Sequence, residues 1–225
     1  MKDDPVSIWK NPAWVEGWSK TQYSVGIAGW IFKESHRFVE KPLRGRTDLR
    51  RVIEVGGGAG VHVKHVLHPY DQYVFTDGTP EMLDLARKAL SDPRLRFEVT
   101  PAETLPYDDV TFDRLIACHV LEHLYKPHEI LREWNRVVRP GGVISLVVPC
   151  EPGFATWLGQ RLGAPRRFAK RLGYDPDYLF AREHVNSVQN LLALVRFYFE
   201  EKKEIWWPFR IPGPMNFMVA INITR

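Results

Sequence analysis

Two acids and a run of glycines set the chemistry of this chain. Glu54 stands inside Arg51–Val55, a run of mostly β-branched residues, and Gly56, Gly57, Gly58, Ala59 and Gly60 follow it directly. A carboxylate on a buried strand is costly unless a positive partner meets it. Each glycine removes a Cβ that would block a ligand or forbid a positive φ. Asp77 closes a second apolar run, QYVFTD, seventeen residues beyond Gly60, where an acid grips ribose hydroxyls in doubly wound sheets. Gly56, Gly58 and Gly60 are spaced G-x-G-x-G, and Val61 stands where a dinucleotide loop needs its third glycine. A diphosphate would also be repelled by Glu54. The pattern points to a nucleoside-like ligand that carries positive charge and no phosphate. The competing reading of Glu54 is a structural ion pair with Arg50 or Arg51, and that of Asp77 is a helix N-cap.

Other reactive side chains gather further along. His119 and His123 flank the end of FDRLIACH, and a neutral histidine there takes the proton of a hydroxyl acceptor. The alternative for His123 is to orient the LEHL loop. His62, His65 and His68 recur at i, i+3 and i+6 in a segment that reads as helix, a spacing unsuited to a metal, so no metal site is expected. Cys118 and Cys150 form neither a disulfide framework nor a metal spacing, and a reducing compartment is expected. Arg167, Lys170 and Arg171 share one helical face, either solvated or facing a phosphate or carboxylate. Tyr178, Glu183 and His184 close that segment. Arg167, Arg171, Tyr178 and His184 are the acceptor-binding candidates.

These residues need elements to hold them. From about Arg50, short apolar runs alternate with amphipathic stretches: RRVIEV, QYVFTD, LRFEVTP, FDRLIACH and VISLVVP read as strands. GVHVKHVL, TPEMLDLARKAL (Thr79 as cap, Pro80 at N1) and PHEILREWNRVV read as helices. The alternation implies a parallel sheet of βαβ units. It pauses over 151–185, resumes with SVQNLLALVRFYF capped by Asn186 or Ser187, and closes with two strands, KKEIWWPF and NFMVAINIT. Before it, 1–45 reads as a helical cap, with Asn11-Pro12 as a helix start and Trp9, Trp14, Trp18, Tyr23 and Trp30 as its aromatics. These rings either exclude water from the ligand or, with the basic 151–185 segment, dock on a membrane interface.

The 225 residues carry a net charge of +4 with both signs interspersed, which does not imply nucleic acid as a partner. The N-terminal segment has early acids and no apolar core of a signal peptide, and no apolar run approaches a membrane span. A cytoplasmic protein is expected.

In order, EVGGGAG, DGTPEMLDLA, AETLPYDDVTFD, HVLEHL and RVVRPGG resemble the motifs of class I S-adenosylmethionine-dependent methyltransferases. The nearest branch is the small-molecule one, typified by ubiquinone and menaquinone biosynthesis. The resemblance runs from about Arg50 to Pro149. It implies an α/β, Rossmann-like, doubly wound sheet of seven strands, mostly parallel with an antiparallel last strand. To that it adds a methyltransferase domain at 46–225 whose insert, 151–185, covers the acceptor after the fifth strand. S-adenosylmethionine, with an α-ammonium, a sulfonium and no phosphate, meets the demand set by Glu54. The resemblance implies cofactor contacts at Glu54, Gly56, Gly58, Gly60, Asp77, Gly78, Met82, Ala102, Glu103 and Cys118, with core filling as the other reading of Met82.

One departure stands out. Thr100-Pro101-Ala102-Glu103 replaces the family's Gly-Asp-Ala-Glu, and Pro101 offers neither a side-chain acceptor nor a backbone donor. Adenine then falls to backbone near Ala102 and to Glu103. The expected function is methyl transfer to an oxygen or nitrogen of a small or lipid-linked acceptor, with a sugar or natural-product intermediate, neutral or anionic, as the acceptor class. The alternatives are a nicotinamide-dependent oxidoreductase on a similar sheet and a non-catalytic cofactor-binding domain.

Overall fold

The computed structural model describes residues 8, 11–22 and 27–225. Trp9 and Tyr23 lie outside them, as does the side chain of Trp18. Seven strands, β1 (Arg51–Glu54), β2 (Gln72–Asp77), β3 (Leu95–Val99), β4 (Phe112–Cys118), β5 (Val138–Pro149), β6 (Lys202–Trp207) and β7 (Met218–Thr224), form one sheet. Their order is β3-β2-β1-β4-β5-β7-β6. β1 to β5 run parallel, and β7 is inserted antiparallel between β5 and β6.

Period-two alternation within the strands feeds both faces of the sheet. Leu115 and Leu146 pack on one face with Ile130, Leu131 and Trp134 of α4 (Pro127–Val137) and with Leu191 and Val195 of α8 (Val188–Tyr198). Ile116 and Val147 point to the other, against Phe38 and Val39 of α2 (Ile27–Glu40) and Leu83 and Ala86 of α3 (Pro80–Ala89). Burying a side chain of this size contributes about 1.5–3 kcal/mol, so both faces are firmly covered.

A polar seam runs through the second face. Arg114, fully buried in β4, pairs with the equally buried Glu40 at the end of α2. Its guanidinium also donates to Ser145 Oγ at 3.1 Å. Ser145 Oγ donates to Asn222 Oδ1 at 2.6 Å, and Asn222 Nδ2 donates back to Val39 O at 2.9 Å. The seam fixes α2 against the sheet. Burial would push the Glu40 carboxyl up, but Arg114 and His62 outweigh it and hold the group well below the usual carboxylate range.

The chain departs from sequence expectation in three places. GVHVKHVL is no helix: it forms turns with one 3₁₀ turn at Val63–His65. β-branched and histidine residues are weak helix formers, and Glu40 takes the Leu67 N–H at 3.1 Å. The fifth strand is longer than VISLVVP: β5 begins at Val138, with Gly141 N–H donating to Arg225 O at 2.7 Å. The 151–185 segment folds mostly into helices: α5 (Phe154–Leu162), α6 (Ala164–Arg171) and α7 (Pro176–Glu183). Trp14 of α1 (Pro12–Gln22) packs on it through Phe168 and Tyr174. Among the described residues no helix is long and apolar enough to cross a membrane.

Candidate functional site

At the carboxyl ends of β1, β2 and β4 a cavity of about 400 Å³ opens, the edge at which open α/β sheets bind ligands. Its floor is the glycine loop. Gly58, at φ +57°, turns its N–H onto Asp77 Oδ2 at 2.9 Å, and a side chain there would strain the left-handed backbone. At Gly57 a Cβ would fall 2.3 Å from the Phe75 ring. Asp77 Oδ1 accepts from Thr79 N–H at 2.8 Å. The carboxylate thus ties the loop to the start of α3, whose cap, Thr79, makes no side-chain cap bond. Burial pushes Asp77 upward against these hydrogen bonds.

Glu54, 2 % exposed, lines the cavity and accepts from Tyr73 OH at 2.6 Å. Arg50 is engaged elsewhere, by Asp71, so the ion pair weighed from sequence does not form there. Desolvation raises the Glu54 carboxyl to about 7. No lysine or arginine lines the cavity among the described residues. Four acidic residues, Glu54, Asp77, Glu103 and Glu122, and no lysine or arginine make a lining that attracts positive charge and repels a diphosphate, so the residues fit S-adenosylmethionine.

The opposite wall is built from β4 and α2. His119 adopts φ +59°, a strained backbone for a non-glycine residue, held by its N–H bond to Val147 O at 2.8 Å. Its ring stacks on Phe32 at 5.0 Å. Its Nε2 is 2.9 Å from Ser35 Oγ, while Ser35 Oγ itself donates to Phe32 O at 2.5 Å. With the hydroxyl proton spent, His119 Nε2–H is the donor, and Nδ1 keeps its lone pair. That Nδ1 lies 3.7 Å from Glu122 Oε1. Glu122 is buried and its Oε2 has no hydrogen-bond partner among the described residues. Burial opposes its ionisation, but His119, His123 and His184 hold its carboxyl below the ordinary value.

His123 Nδ1 donates to Glu183 O at 2.8 Å, and its ring meets His184 edge-on at 4.7 Å. Burial lowers His123. In His184 the Glu151 carboxylate, 2.6 Å from Nδ1, outweighs burial and raises it. Asn186, weighed as a cap, instead clamps the turn before α4 through Leu121 O at 3.0 Å and Leu124 O at 2.6 Å. Ser187 caps α8.

The cavity brings together Glu54, Gly56, Gly58, Asp77, Gly78, Met82, Ala102, Glu103, Cys118, His119, His123 and His184. Gly60 is not on its lining. The Ala102 carbonyl already accepts from Trp134 Nε1 at 2.8 Å, which leaves less of that backbone for adenine than expected. Arg167, Arg171 and Tyr178 are not brought to the cavity: they are exposed, because α6 packs inward through Phe168 and Ala169 and α7 through Leu179. Phe32, Ser35, His36 and Glu122 join the site without a place among the residues expected from sequence. Glu122 lay in plain view within HVLEHL. The three α2 residues gave no signal, since only the docking of α2 brings them to β4.

The chain matches a family model described as a methyltransferase domain over residues 53–146. It is 34% identical over 114 residues to 2-methyl-6-phytyl-1,4-hydroquinone methyltransferase 1 of Oryza sativa subsp. japonica, a match covering 49% of this chain and 33% of that protein. The chain thus spans about a third of that relative's length. It is 30% identical over 192 residues to an uncharacterized methyltransferase of Mycobacterium sp. (strain KMS), covering 77% of this chain and 75% of the relative. A crystal structure of an S-adenosylmethionine-dependent methyltransferase from Thermotoga maritima superposes with a TM-score of 0.66 at 19% identity, covering 95% of this chain and 98% of that one. At that identity the likeness speaks for the fold alone. The sheet order, the glycine loop with its two acids and the mycobacterial relative converge on one assignment: the chain belongs to the class I S-adenosylmethionine-dependent methyltransferases.

Proposed function

We propose that this chain moves a methyl group from S-adenosylmethionine to an ionisable oxygen or nitrogen of a small or lipid-linked acceptor, with His119 as the base. The cofactor supplies a methyl group made electrophilic by a sulfonium. Asp77 and the Gly58 turn hold the ribose, Glu54 faces the ammonium, and Met82 and Glu103 border the adenine. Phe32 and His36 of α2 and His184 beyond α7 wall the cavity, and excluding water there strengthens every charge interaction inside.

The observation that carries this reading is how His119, on the cavity wall, is engaged: Ser35 Oγ lies 2.9 Å from Nε2. That leaves Nδ1, 3.7 Å from the buried Glu122 carboxylate, as the nitrogen to take a proton. A proton taken from the acceptor onto Nδ1 creates an imidazolium beside that carboxylate, which stabilises it. General base catalysis of this kind contributes roughly 10²–10⁴-fold.

The rice relative is named for a hydroquinone, and a phenolic hydroxyl is an acceptor such a base serves. Removing its proton activates both the oxygen and the adjacent ring carbon, so the base does not itself decide which atom is methylated. For a lipid-linked acceptor, exposed Phe154 and Trp157 on α5, with Arg161 over the Trp157 ring at 5.7 Å, offer a face for an anionic membrane surface. Absence of flotation with anionic vesicles would remove the lipid-linked version.

The deciding experiment is S-adenosylhomocysteine release with a panel of hydroquinones and phenols, sugar hydroxyls and primary amines, followed by product identification. Turnover with an ionisable hydroxyl or amine, lost in His119→Ala, is the expected result. Turnover that His119→Ala leaves intact removes the base. Cofactor binding without release from any acceptor class favours the non-catalytic domain, and binding heat from NAD but none from S-adenosylmethionine overturns the cofactor.

A further inference from the structure

Beside the glycine loop, three side chains from three elements converge: His36 from α2, His62 from the turn after β1 and Cys118 from the end of β4. His62 Nδ1 lies 3.1 Å from His36 Nδ1 and 3.6 Å from Cys118 Sγ. One donor atom from each of the three lies within 4.8 Å of the others. Tetrahedral zinc, with Zn–N of about 2.0–2.1 Å and Zn–S of about 2.3 Å, sets N···N edges of about 3.3 Å and N···S edges of about 3.6 Å. The two edges that meet at His62 already have nearly those lengths.

The surroundings match as well. His62 Nε2 is 2.8 Å from Glu40 Oε1, and Glu40 is in turn held by Arg114 and the Leu67 N–H. A carboxylate behind a ligating imidazole is how metal sites fix the tautomer, leaving the other ring nitrogen with its lone pair. His36 offers little competition. Its Nε2 is buried with no hydrogen-bond partner among the described residues, and its Nδ1 meets the His62 imidazole nitrogen. Two imidazole nitrogens and a sulfur meet at these distances, and a cation would satisfy all three.

We propose that His36, His62 and Cys118 form a site for a soft divalent cation, zinc by its donor set, with a fourth position open to the cavity that His36 and Cys118 line. Three protein ligands with an open position is the arrangement of a working rather than a closed structural site. An oxygen or sulfur group bound there would be acidified by the metal. The site adds positive charge beside the glycine loop, offset by the thiolate and by Glu40.

The test uses the untagged full chain. After saturation with zinc and gel filtration, elemental mass spectrometry is expected to find about one zinc per chain. Cobalt alone in place of zinc should give a thiolate-to-cobalt charge-transfer band. Cys118→Ser should abolish the band, and both Cys118→Ser and His36→Gln should weaken zinc binding at least about tenfold, with circular dichroism confirming the fold. Magnesium alone should not bind. Absence of the cobalt band in the unmodified chain overturns the site whatever the variants do. So does zinc held equally well by Cys118→Ser and His36→Gln, which would assign it to surface histidines.

Discussion

Glu40 and Glu122 are both buried carboxylates set among histidines, yet their surroundings differ in completeness. Glu40 has both oxygens engaged, by Arg114, by His62 at 2.8 Å and by the Leu67 N–H at 3.1 Å. Glu122 has Oε1 3.7 Å and 4.0 Å from two histidines and an Oε2 with no partner among the described residues. Buried polar groups are normally satisfied, and an exception calls for a reason. The first carboxylate locks α2 to the sheet. The second stands in the cavity wall with capacity to spare, which is what a group stabilising a transient charge requires.

Removing one partner of the locked pair should have the largest effect. Glu40→Ala strands the Arg114 guanidinium, and breaking a buried pair in this way costs about 3–5 kcal/mol. Chemical denaturation of the empty protein should show that loss, whereas Glu122→Gln should cost about 1 kcal/mol or less. Equal losses would erase the contrast between the two acids.

Activity should reverse the ranking. Glu122→Gln is expected to lower kcat by about 10²-fold with KM and cofactor affinity retained, and Glu122→Asp to recover part of it. A fall in cofactor affinity of similar size would mean that Glu122 only holds the loop. At the other end of the cavity, Asp77→Asn should weaken cofactor binding by about ten- to a hundredfold by calorimetry. The asparagine keeps one carbonyl for the loop N–H groups. Asp77→Ala should also lower the melting temperature, because the carboxylate joins Gly58 to Thr79.

The contrast also marks how far the sequence could be read. The strands and the cofactor loop announce themselves through local pattern: alternation of two, a break of glycines, an acid at the next strand end. The polar seam does not. Arg114 looks like one polar residue in an apolar strand, and its partner Glu40 lies 74 residues away with no periodicity linking them. The turn after β1 misled for the same reason, since its histidines are spent on α2 and β4 and not on helical neighbours. Charge spacing on α6 showed that Arg167 and Arg171 share a face. It carried no information on which way that face points, and Phe168 against Trp14 turns it to solvent.

The smallest predicted effect bears on Glu54, which belongs with neither carboxylate. Tyr73 on β2, His62 in the loop, Arg114 on β4 and Glu40 on α2 surround it, and desolvation dominates them, leaving its carboxyl at about 7 in the empty protein. The folded-state value lies above the ordinary one, so Glu54 adds stability when protonated, at low pH, and that contribution is lost as pH rises through about 7. A cationic ligand reverses the preference, since it binds the ionised form. Affinity for S-adenosylmethionine should therefore be full above pH 7 and fall by up to about tenfold per unit as pH drops below it. Calorimetry across that range, in buffers of different ionisation heat, should register proton release on binding near pH 6. Glu54→Gln should bind more weakly above pH 7 and flatten the profile. A slope that survives in Glu54→Gln would transfer the titration to another group and leave Glu54 as a structural partner of Tyr73.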